Sequence, residues 1–297
     1  MASKMLKVGL VQQAVADNDK MTNWQKSADQ IAQLAADGCE CILLQELHST
    51  LYFCQNEDTD AFDLAEPIPG PATEFFGEVA EKYNIVLVTS LFEKRGSGLY
   101  HNTAVVFDRS REIAGKYRKM HIPDDPGFYE KFYFTPGDMG FEPIDTSVGK
   151  LGVLVCWDQW YPEAARLMAM RGADLLFYPT AIGWDVTDTP DEQERQAGAW
   201  QTIQRSHAVA NSVPVIVANR TGFEASPVEG DSGIQFWGQS FIAGPQGEIL
   251  ALAGKDEEQT LMVELDMERT EKVKRIWPYF RDRRIDAYDD ITKRWRD

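Results

Sequence analysis

The stretch GVLVCWDQWYPEAAR, residues 152–166, combines an apolar run, a cysteine and the start of a helix. The run before Cys156 is typical of a buried strand, and Pro162 suits the first turn of a helix that should end near Gly172. We therefore expect Cys156 on a turn between a strand and a helix. Free backbone N–H groups there can bind developing negative charge, and a nearby helix lowers the pKa of a thiol. This position fits a nucleophile, and it equally fits a buried structural cysteine.

Strand-like and helix-like segments alternate along the rest of the chain. Aliphatic and β-branched runs bounded by turn residues predict strands at LKVGLVQ, CILLQEL, IVLVTSLFE, NTAVVFD, GVLVCWD, ADLLFYPT, VPVIVAN, SFIAGP and LMVELD. Apolar residues at helical spacing predict helices over residues 21–37, 73–83, 162–172 and 192–211. This alternation predicts an α/β fold with helices on the sheet faces. Three successive runs between residues 86 and 119 leave no room for helices, so part of the sheet should be antiparallel or mixed.

The composition is that of a globular protein, with 43% hydrophobic and 26% charged residues among 297. No linker rich in Pro, Gly or Ser divides the chain, so we expect one domain over residues 1–297. The formal charge of -17 argues against nucleic acid and anionic membranes as partners. No apolar stretch approaches the ~20 residues that a membrane span needs. Four cysteines and an N-terminus without a signal sequence predict a cytoplasmic protein.

Two further residues carry groups that could work with a thiol. Glu46 lies near the end of the buried run CILLQEL, where its side chain could be a general base or an ordinary solvated acid. Lys119 follows a strand-like run and has basic neighbours at Lys116 and Arg118, so taken alone it fits an exposed basic edge strand. Neither position decides the function by itself.

Together, the order and surroundings of Glu46, Lys119 and Cys156 resemble the Glu-Lys-Cys triad of the nitrilase, or carbon–nitrogen hydrolase, superfamily. The similar motifs are LLQEL (43–47), KYRKMHIPDDPGFYEKFYFTPGD (116–138), GVLVCWDQWYPEAAR (152–166), PTAIGW (179–184), VANR (217–220), WGQSFIAGPQGEIL (237–250) and RDRRIDAY (281–288). The resemblance covers nearly the whole chain and implies a four-layer α-β-β-α sandwich. It also implies a homo-oligomer whose subunits pair through helices and the C-terminal tail, about residues 277–297.

The resemblance also implies a role for each residue of the site. Glu46 would take the thiol proton, Cys156 would form a covalent acyl or carbamoyl intermediate, and water would cleave it. Lys119 would stabilise the oxyanion together with backbone N–H near Trp157. Glu130, in FYEKFYF, matches the second active-site glutamate of the superfamily, which positions the lysine and the substrate. A surface acid in a salt bridge is the alternative for Glu130. No metal and no cofactor are implied.

For the substrate, the motifs YFCQ (52–55), CWDQWYPEAAR and RDRR most resemble the branch of the superfamily that acts on N-carbamoylputrescine. This implies a small cationic carbamoyl-amine, which needs an acid for its distal ammonium and aromatic walls along its methylene chain. The residues implied to line the pocket are Asp185, Thr180, Tyr52, Phe53 and Trp157. Two departures could reshape it: the sequence His-Ser-Thr at residues 48–50 and the bulky Trp184.

Other functions stay open on the sequence alone. An amidase or ureidase for a carbamoyl amino acid or an omega-amide is one alternative, and an acidic substrate would need a cation for its carboxylate. A catalytically silent binding protein with this fold is an alternative of a different class.

Two other kinds of enzyme find little support. A Cys-His hydrolase would need a histidine near Cys156, and none has the flanking sequence of a papain-like or caspase-like site; the candidates are His48, His101, His121 and His207. We expect His121 to be an ordinary loop residue. A metalloenzyme would need ligand pairs, but no two histidines have metal-ligand spacing. Cys39 and Cys41 lack a second cluster, so we expect two small core side chains on one sheet face.

Overall fold

The computed structural model describes residues 5–296. Helices α1 to α6 span Lys20–Ala36, Pro71–Tyr83, Glu130–Tyr133, Pro162–Met170, Pro190–Asn211 and Met267–Ile276. All four predicted helices are present. Helices α2 and α5 begin two residues earlier than predicted, because Pro71 and Pro190 occupy the first turn, where a missing N–H breaks no helical hydrogen bond. No helix within residues 5–296 is both long and apolar enough to cross a bilayer.

The first sheet has six strands. Strands β1 to β5 span Met5–Gln12, Cys41–Leu43, Val86–Gly96, Leu99–Asp108 and Ile113–Arg118, and β15 spans Gln259–Asp266. Their order is β15-β1-β2-β3-β4-β5. Strands β1, β2 and β3 are parallel, whereas β3, β4 and β5 form antiparallel hairpins. The mixed sheet predicted from residues 86–119 is therefore confirmed.

A second sheet of six strands and a small third sheet complete the strands. The second contains β6 to β8 (Ile144–Thr146, Gly149–Val153, Leu175–Thr180), β10 (Val215–Asn219), β13 (Phe241–Ala243) and β14 (Ile249–Leu252). Its order is β14-β13-β10-β8-β7-β6, with β7, β8 and β10 parallel. The third contains β9, β11 and β12 (Gly183–Asp185, Thr221–Glu224, Ile234–Trp237), all antiparallel.

The two large sheets pack face to face through a buried apolar core. Alternate residues of each strand point into it, including Val8, Val88, Val106, Val153, Phe177 and Val217. Helices α1 and α2 cover the outer face of the first sheet through Trp24, Ile31 and Phe76. Helices α4 and α5 cover the second sheet through Met168 and Trp200. These layers confirm the four-layer α-β-β-α sandwich.

The prediction that Cys39 and Cys41 share one sheet face is wrong. Cys41 starts β2 and points into the core between the two sheets. Cys39 belongs to the cluster under α1 and α2, beside Leu34. The strand begins only at Cys41, and Cys39 lies in the turn after α1, so the alternation of a strand does not apply to both.

The last described residues lie across α4. After α6, two short 3-10 turns span Ile285–Ala287 and Asp289–Thr292. The guanidinium of Arg166 on α4 stands 4.7 Å from the ring centre of Phe280, and Arg283 Nη1 lies 3.2 Å from Met170 Sδ. Many apolar side chains of this segment remain exposed: Trp277, Tyr279, Phe280, Ile285, Tyr288, Ile291 and Trp295.

Candidate active site

The three residues of the expected triad meet at strand ends that come from both large sheets. Glu46 follows β2 and Lys119 follows β5, both in the first sheet, whereas Cys156 follows β7 in the second. Strand β2 is apolar and fully buried, whereas β5 and β7 become buried only toward their ends. In all three cases the reactive side chain comes just after the strand ends. The packing of the two sheets therefore brings the three side chains into one buried cluster.

Lys119 lies between two glutamates. Its Nζ donates to Glu46 Oε1 at 2.8 Å and to Glu130 Oε2 at 2.6 Å, and all three side chains are essentially inaccessible to solvent. A surface salt bridge for Glu130 is excluded by this burial. Such a cluster is rigid, because a buried charge that loses its partner is strongly destabilising.

Glu46 is held by two further donors. Asn102 Nδ2 donates to its Oε1 at 2.6 Å, and the Ala181 backbone N–H donates to its Oε2 at 2.8 Å. The carbonyl of the same Ala181 accepts from Cys156 Sγ at 3.9 Å. Ala181 thus contacts the expected base through its backbone N–H and the expected nucleophile through its backbone carbonyl.

Cys156 has a left-handed backbone, with φ at 43°, which is unusual for a residue with a side chain. It opens a 3-10 turn, Cys156–Trp160, and α4 starts only at Pro162. Burial raises the pKa of the thiol well above its usual range, and the carboxyl group of Glu46 adds to this more than Lys119 opposes it. The expectation of a thiol with a lowered pKa is therefore wrong, and the resting thiol needs a base.

Burial and charge also shift the neighbouring groups. Burial raises the pKa of Glu130 to about 7, with Lys119 opposing the rise and Glu46 adding to it. Burial alone would lower the pKa of Lys119, but the carboxyl groups of Glu130 and Glu46 raise it well above its ordinary value. Lys119 is therefore a permanent cation at neutral pH.

A cavity of about 610 Å³ opens beside the cysteine. It is lined by Pro123, Asp125, Pro126, Phe128, Glu130, Cys156, Trp157, Trp160, Ala181, Ile182, Gly183, Asp185, Asp188, Glu192, Arg195, Gln196, Ala199 and Trp237. Trp157 and Asp185, two of the five residues expected to bind the substrate, are among them. Among these lining residues the acids outnumber the single base, Arg195, so the cavity favours cationic ligands.

The other three expected substrate-binding residues lie elsewhere. Tyr52 is fully buried behind Glu130 and donates from its hydroxyl to Glu130 Oε1 at 2.8 Å. Phe53 stacks on Phe92, with ring centres 4.7 Å apart, in a separate aromatic cluster. Thr180 Oγ1 donates to Gln159 Oε1 beneath the site. None of the three lines the cavity, because Tyr52 and Thr180 are buried in hydrogen bonds to Glu130 and Gln159 and Phe53 packs in the aromatic cluster.

Asp185 ends β9 at the rim of the cavity. Its Oδ1 accepts from the Thr187 N–H at 2.8 Å, from Thr187 Oγ1 at 2.7 Å and from Ser232 Oγ at 3.2 Å. These bonds, those of Thr187 foremost, lower the pKa of Asp185, so it is anionic at neutral pH. The side chain is exposed, and the hydrogen bonds fix its orientation.

Asp158, two residues after the cysteine, was not predicted to belong to the site. Its side chain is fully buried and receives hydrogen bonds from Tyr117, Val155 and His121. His121 is therefore not an ordinary loop residue, since its ring also stacks on Tyr161 at 3.8 Å between ring centres. Its position two residues after the expected nucleophile, next to an apolar strand, is the one signal that the sequence offered.

Arg220 was missed as well. It is fully buried at the end of VANR, donates to Glu224 Oε1 at 2.6 Å, and contacts the backbone carbonyls of Glu46 and Leu47. Glu224 Oε2 in turn accepts from the Tyr52 N–H at 2.6 Å. The pair thus fixes the turn that carries Glu46. An arginine after an apolar strand is typical of a solvent-exposed strand end. The local sequence pattern therefore does not reveal that Arg220 is buried at the site.

Histidine and metal chemistry lack a geometric basis in the described part of the chain. There, Cys156 has no hydrogen bond to a histidine, and the four rings bond instead to Thr89, Thr135, Asp158 and the Gln159 carbonyl. Within residues 5–296 no three His, Cys, Asp or Glu side chains are grouped to hold a metal ion.

The four-layer sandwich with a cysteine, a glutamate and a lysine at its strand ends has the architecture of carbon–nitrogen hydrolases. The chain belongs to this family: the family model described as carbon-nitrogen hydrolase matches residues 7–275. The family expected from the sequence is therefore confirmed.

Two curated relatives and one solved structure illustrate the similarity. The chain is 40% identical to an N-carbamoylputrescine amidase of Solanum lycopersicum, over 96% of this chain and 94% of the relative. It is also 40% identical to a citrullinase of Francisella tularensis, over 98% of this chain and 99% of the relative. A crystal structure of a carbon-nitrogen hydrolase from Helicobacter pylori G27 has a TM-score of 0.95 at 52% identity, covering 98% of this chain and 100% of that one.

Proposed function

We propose that this protein hydrolyses the ureido C–N bond of a carbamoylated amine, with N-carbamoylputrescine as substrate and putrescine, carbon dioxide and ammonia as products. The observation that carries the proposal is the buried Glu46–Lys119–Glu130 cluster beside Cys156 at the floor of an acidic cavity. Ureas have poor leaving groups and a stabilised carbonyl, so their hydrolysis at neutral pH needs a strong nucleophile, a proton shuttle and a charge stabiliser. The cluster and Cys156 provide one of each.

In the first half of the reaction, Glu46 accepts the proton of Cys156 Sγ as the sulfur attacks the ureido carbon. Lys119 and the backbone N–H near Trp157 stabilise the negative charge on the carbonyl oxygen. The C–N bond then breaks, and the leaving nitrogen takes the proton from Glu46. The product on the enzyme is a carbamoyl thioester.

In the second half, water cleaves this thioester. Glu46 accepts a proton from the water as its oxygen attacks, and the C–S bond breaks while the proton returns to Sγ. The carbamic acid that leaves decomposes to carbon dioxide and the second amine. The raised pKa of the Cys156 thiol supports this cycle, because a high thiol pKa favours return of the proton.

The charge of the cavity supports a cationic substrate. We assign the distal ammonium to Asp185, which is anionic, oriented by Thr187 and Ser232, and on the lining. Trp157 and Ile182 can contact the methylene chain. Two carbamoyl-group hydrolases among the relatives, the amidase of tomato and the citrullinase of Francisella, support a terminal ureido group.

Citrulline is a second candidate substrate, favoured by one observation. It has both an ammonium and a carboxylate, and Arg195 lies on the same cavity lining as Asp185. The test is ammonia release from N-carbamoylputrescine, citrulline, N-carbamoyl-β-alanine, a linear omega-amide and neutral N-carbamoylbutylamine. The diamine should give the highest kcat/KM. A preference for citrulline would make citrulline the proposed substrate in place of N-carbamoylputrescine. A preference for the neutral compound would show that the acidic residues of the cavity do not select the substrate.

Asp185→Asn tests the ammonium partner. Because Asp185 is exposed, the loss of its charge should cost about 5-fold in kcat/KM for the diamine, as exposed ion pairs contribute ~1 kcal/mol at most. The loss for N-carbamoylbutylamine should be below 2-fold. Asp191→Asn, which removes a charge on α5 outside the cavity lining, is the matched control. Equal losses for both substrates would make Asp185 structural, and Asp125→Asn would then test the next acid on the lining.

Cys156→Ala distinguishes an enzyme from a silent binding protein. The variant should stay folded, as judged by circular dichroism, and lose all turnover. In the wild type, a slow substrate should give a covalent adduct at Cys156 that mass spectrometry detects. Residual turnover in the alanine variant would contradict the proposed chemistry.

A further inference from the structure

We propose that Asp158 is a positioning residue that ties the loop carrying Lys119 to the loop carrying Cys156 and so sets their separation. The inference rests on the proposed function, in which these two side chains act on the same carbonyl group. Asp158 itself does not line the cavity, so it acts through its neighbours.

The side chain of Asp158 has four hydrogen-bonding partners and no exposed surface. Oδ2 accepts from Tyr117 Oη at 2.8 Å and from the Val155 N–H at 2.9 Å. Oδ1 accepts from the His121 N–H at 3.0 Å and contacts His121 Nδ1 at 2.7 Å. Four donors satisfy the carboxyl group, which makes its burial tolerable without a lysine or arginine.

These partners flank both reactive residues. Tyr117 and His121 each lie two positions from Lys119, on either side of it, and Val155 directly precedes Cys156. Lys119 belongs to the first sheet and the cysteine loop to the second, and the contact between the sheets is mainly apolar. Apolar packing sets no unique register, whereas directional hydrogen bonds do. Asp158 therefore supplies the geometric precision that sheet packing lacks.

The same side chain fixes the strained backbone of the nucleophile. The bond from the Val155 N–H to Asp158 Oδ2 closes the turn in which Cys156 holds its positive φ. A non-glycine residue with a positive φ keeps this conformation only when several surrounding contacts hold its backbone in place. On the other side, the parallel stack of His121 on Tyr161 restrains the imidazole that contacts Oδ1.

Asp158→Asn tests the tie, because it preserves shape but replaces one acceptor by a donor. A displacement of ~1 Å at the reacting atoms costs about 100-fold in rate, so kcat for N-carbamoylputrescine should fall by roughly this factor while KM changes less than about 3-fold. Alkylation of Cys156 by iodoacetamide should slow about 10-fold, since the sulfur loses its alignment with Glu46 and Lys119. A merely structural role would instead open the loop and speed alkylation.

A double-mutant cycle gives the second readout. Tyr117→Phe removes one bond of the tie and should lower kcat about 10-fold in the wild type, but have almost no effect in Asp158→Asn, because that side chain no longer accepts from both loops and the tie is already broken. Equal effects in both backgrounds would overturn the proposal, as would a kcat for Asp158→Asn within 3-fold of wild type. Should Asp158→Asn fail to fold, the cycle of Tyr117→Phe with His121→Asn replaces it, and additive losses would then contradict the tie.

Thr73→Val is the matched control for lost stability. Thr73 is buried at the start of α2, where its hydroxyl bonds to Gly70, far along the chain from both loops. Its loss should lower the melting temperature and leave kcat and the alkylation rate unchanged. If wild-type protein releases no ammonia from any carbamoyl substrate, the proposed function fails, but the alkylation rates of wild type, Asp158→Asn and Thr73→Val still decide whether Asp158 aligns the thiol.

Discussion

Cys156 shows how a single side chain is prepared for reaction without being reactive at rest. Burial keeps the thiol protonated, and the cation beside it does not overcome the two nearby glutamates. In the proposed mechanism, reaction therefore has to wait for a substrate whose developing oxyanion Lys119 can stabilise. This arrangement also protects the sulfur from oxidation, which follows thiolate character and exposure.

Glu46 and Lys119 should act as a unit. Glu46→Gln cannot take a proton and Lys119→Met removes the charge, so each should lower kcat by at least ~100-fold. The double variant should lose little more than either single variant, since both residues serve one transition state. The measurement is kcat and KM for all three proteins, with circular dichroism to confirm folding. If Lys119→Met raised KM alone, the lysine would be a binding residue.

Glu130 should make stability depend on pH. Its pKa is about 7 in the folded protein against an ordinary value of 4.5, so folding favours its protonated form. The stability that this supplies is complete below pH ~4.5 and is lost as pH rises through ~7. The melting temperature of wild type relative to Glu130→Gln should therefore fall across this window. Parallel curves for the two proteins would contradict the shifted pKa.

Residue types at the site were predictable, but side-chain directions were not. Glu46, Lys119, Glu130 and Cys156 carry recognisable motifs, and the structure brings all four together. Tyr52 was expected to line the substrate pocket, but it lies behind Glu130. The prediction failed because a residue in a turn has no periodicity from which the direction of its side chain follows. Two partners of Asp158, Tyr117 and His121, lie 41 and 37 positions away in the sequence, and no local pattern encodes such contacts.

At the scale of elements, the long helices and the fully buried strands were predictable from the sequence, including the short β2 and β13, whereas several short strands that are partly exposed were not. The third sheet was missed because β9, β11 and β12 have only three or four residues each and are partly exposed. The starts of α2 and α5 were misplaced because the prolines there were not assigned to the first turn. These small elements matter, since β9 carries Asp185 to the cavity.

The packing of α2 provides a test of the outer layer. Phe76 is fully buried there, with ring centres 6.2 Å from Trp24 and 5.1 Å from His48. Phe76→Ala should lower the free energy of unfolding by ~3–5 kcal/mol, as expected for a large aromatic removed from a core. Glu78→Ala on the exposed face of the same helix should change it by less than ~0.5 kcal/mol. Chemical denaturation measures both, and a loss below 1 kcal/mol for Phe76→Ala would contradict tight packing of this layer.

At the scale of the whole molecule, the exposed apolar tail predicts assembly. We propose that residues 277–296 pack on a second copy, because seven large apolar side chains there stay accessible, Trp295 to 83%. Light scattering after size exclusion should show a dimer or larger species. Ile285→Asp with Trp295→Asp should reduce the mass, while Arg281→Ala in the same segment should not. A wild-type monomer at micromolar concentration would contradict the proposal.

The face-to-face packing of the two sheets was the part of the fold that could not be predicted from the sequence pattern. Periodicity identifies strands one at a time, whereas strand order and the facing of two sheets depend on contacts far apart in sequence. Only the family resemblance implied the four layers. Once they are known, the placement of Glu46, Lys119 and Cys156 follows directly, because each comes shortly after a strand and the three strands end at the same site.

The division of the site between two sheets has a consequence during synthesis. Glu46 leaves the ribosome well before Cys156, and at ~5–20 residues per second the delay is roughly 5–20 s. During that interval the nascent chain contains the proposed base but not Cys156. The sulfur then gains its partners only when the second sheet docks. If these residues form the active site as proposed, we expect hydrolytic competence to arise in one late event and the unfinished polypeptide to lack activity toward amides.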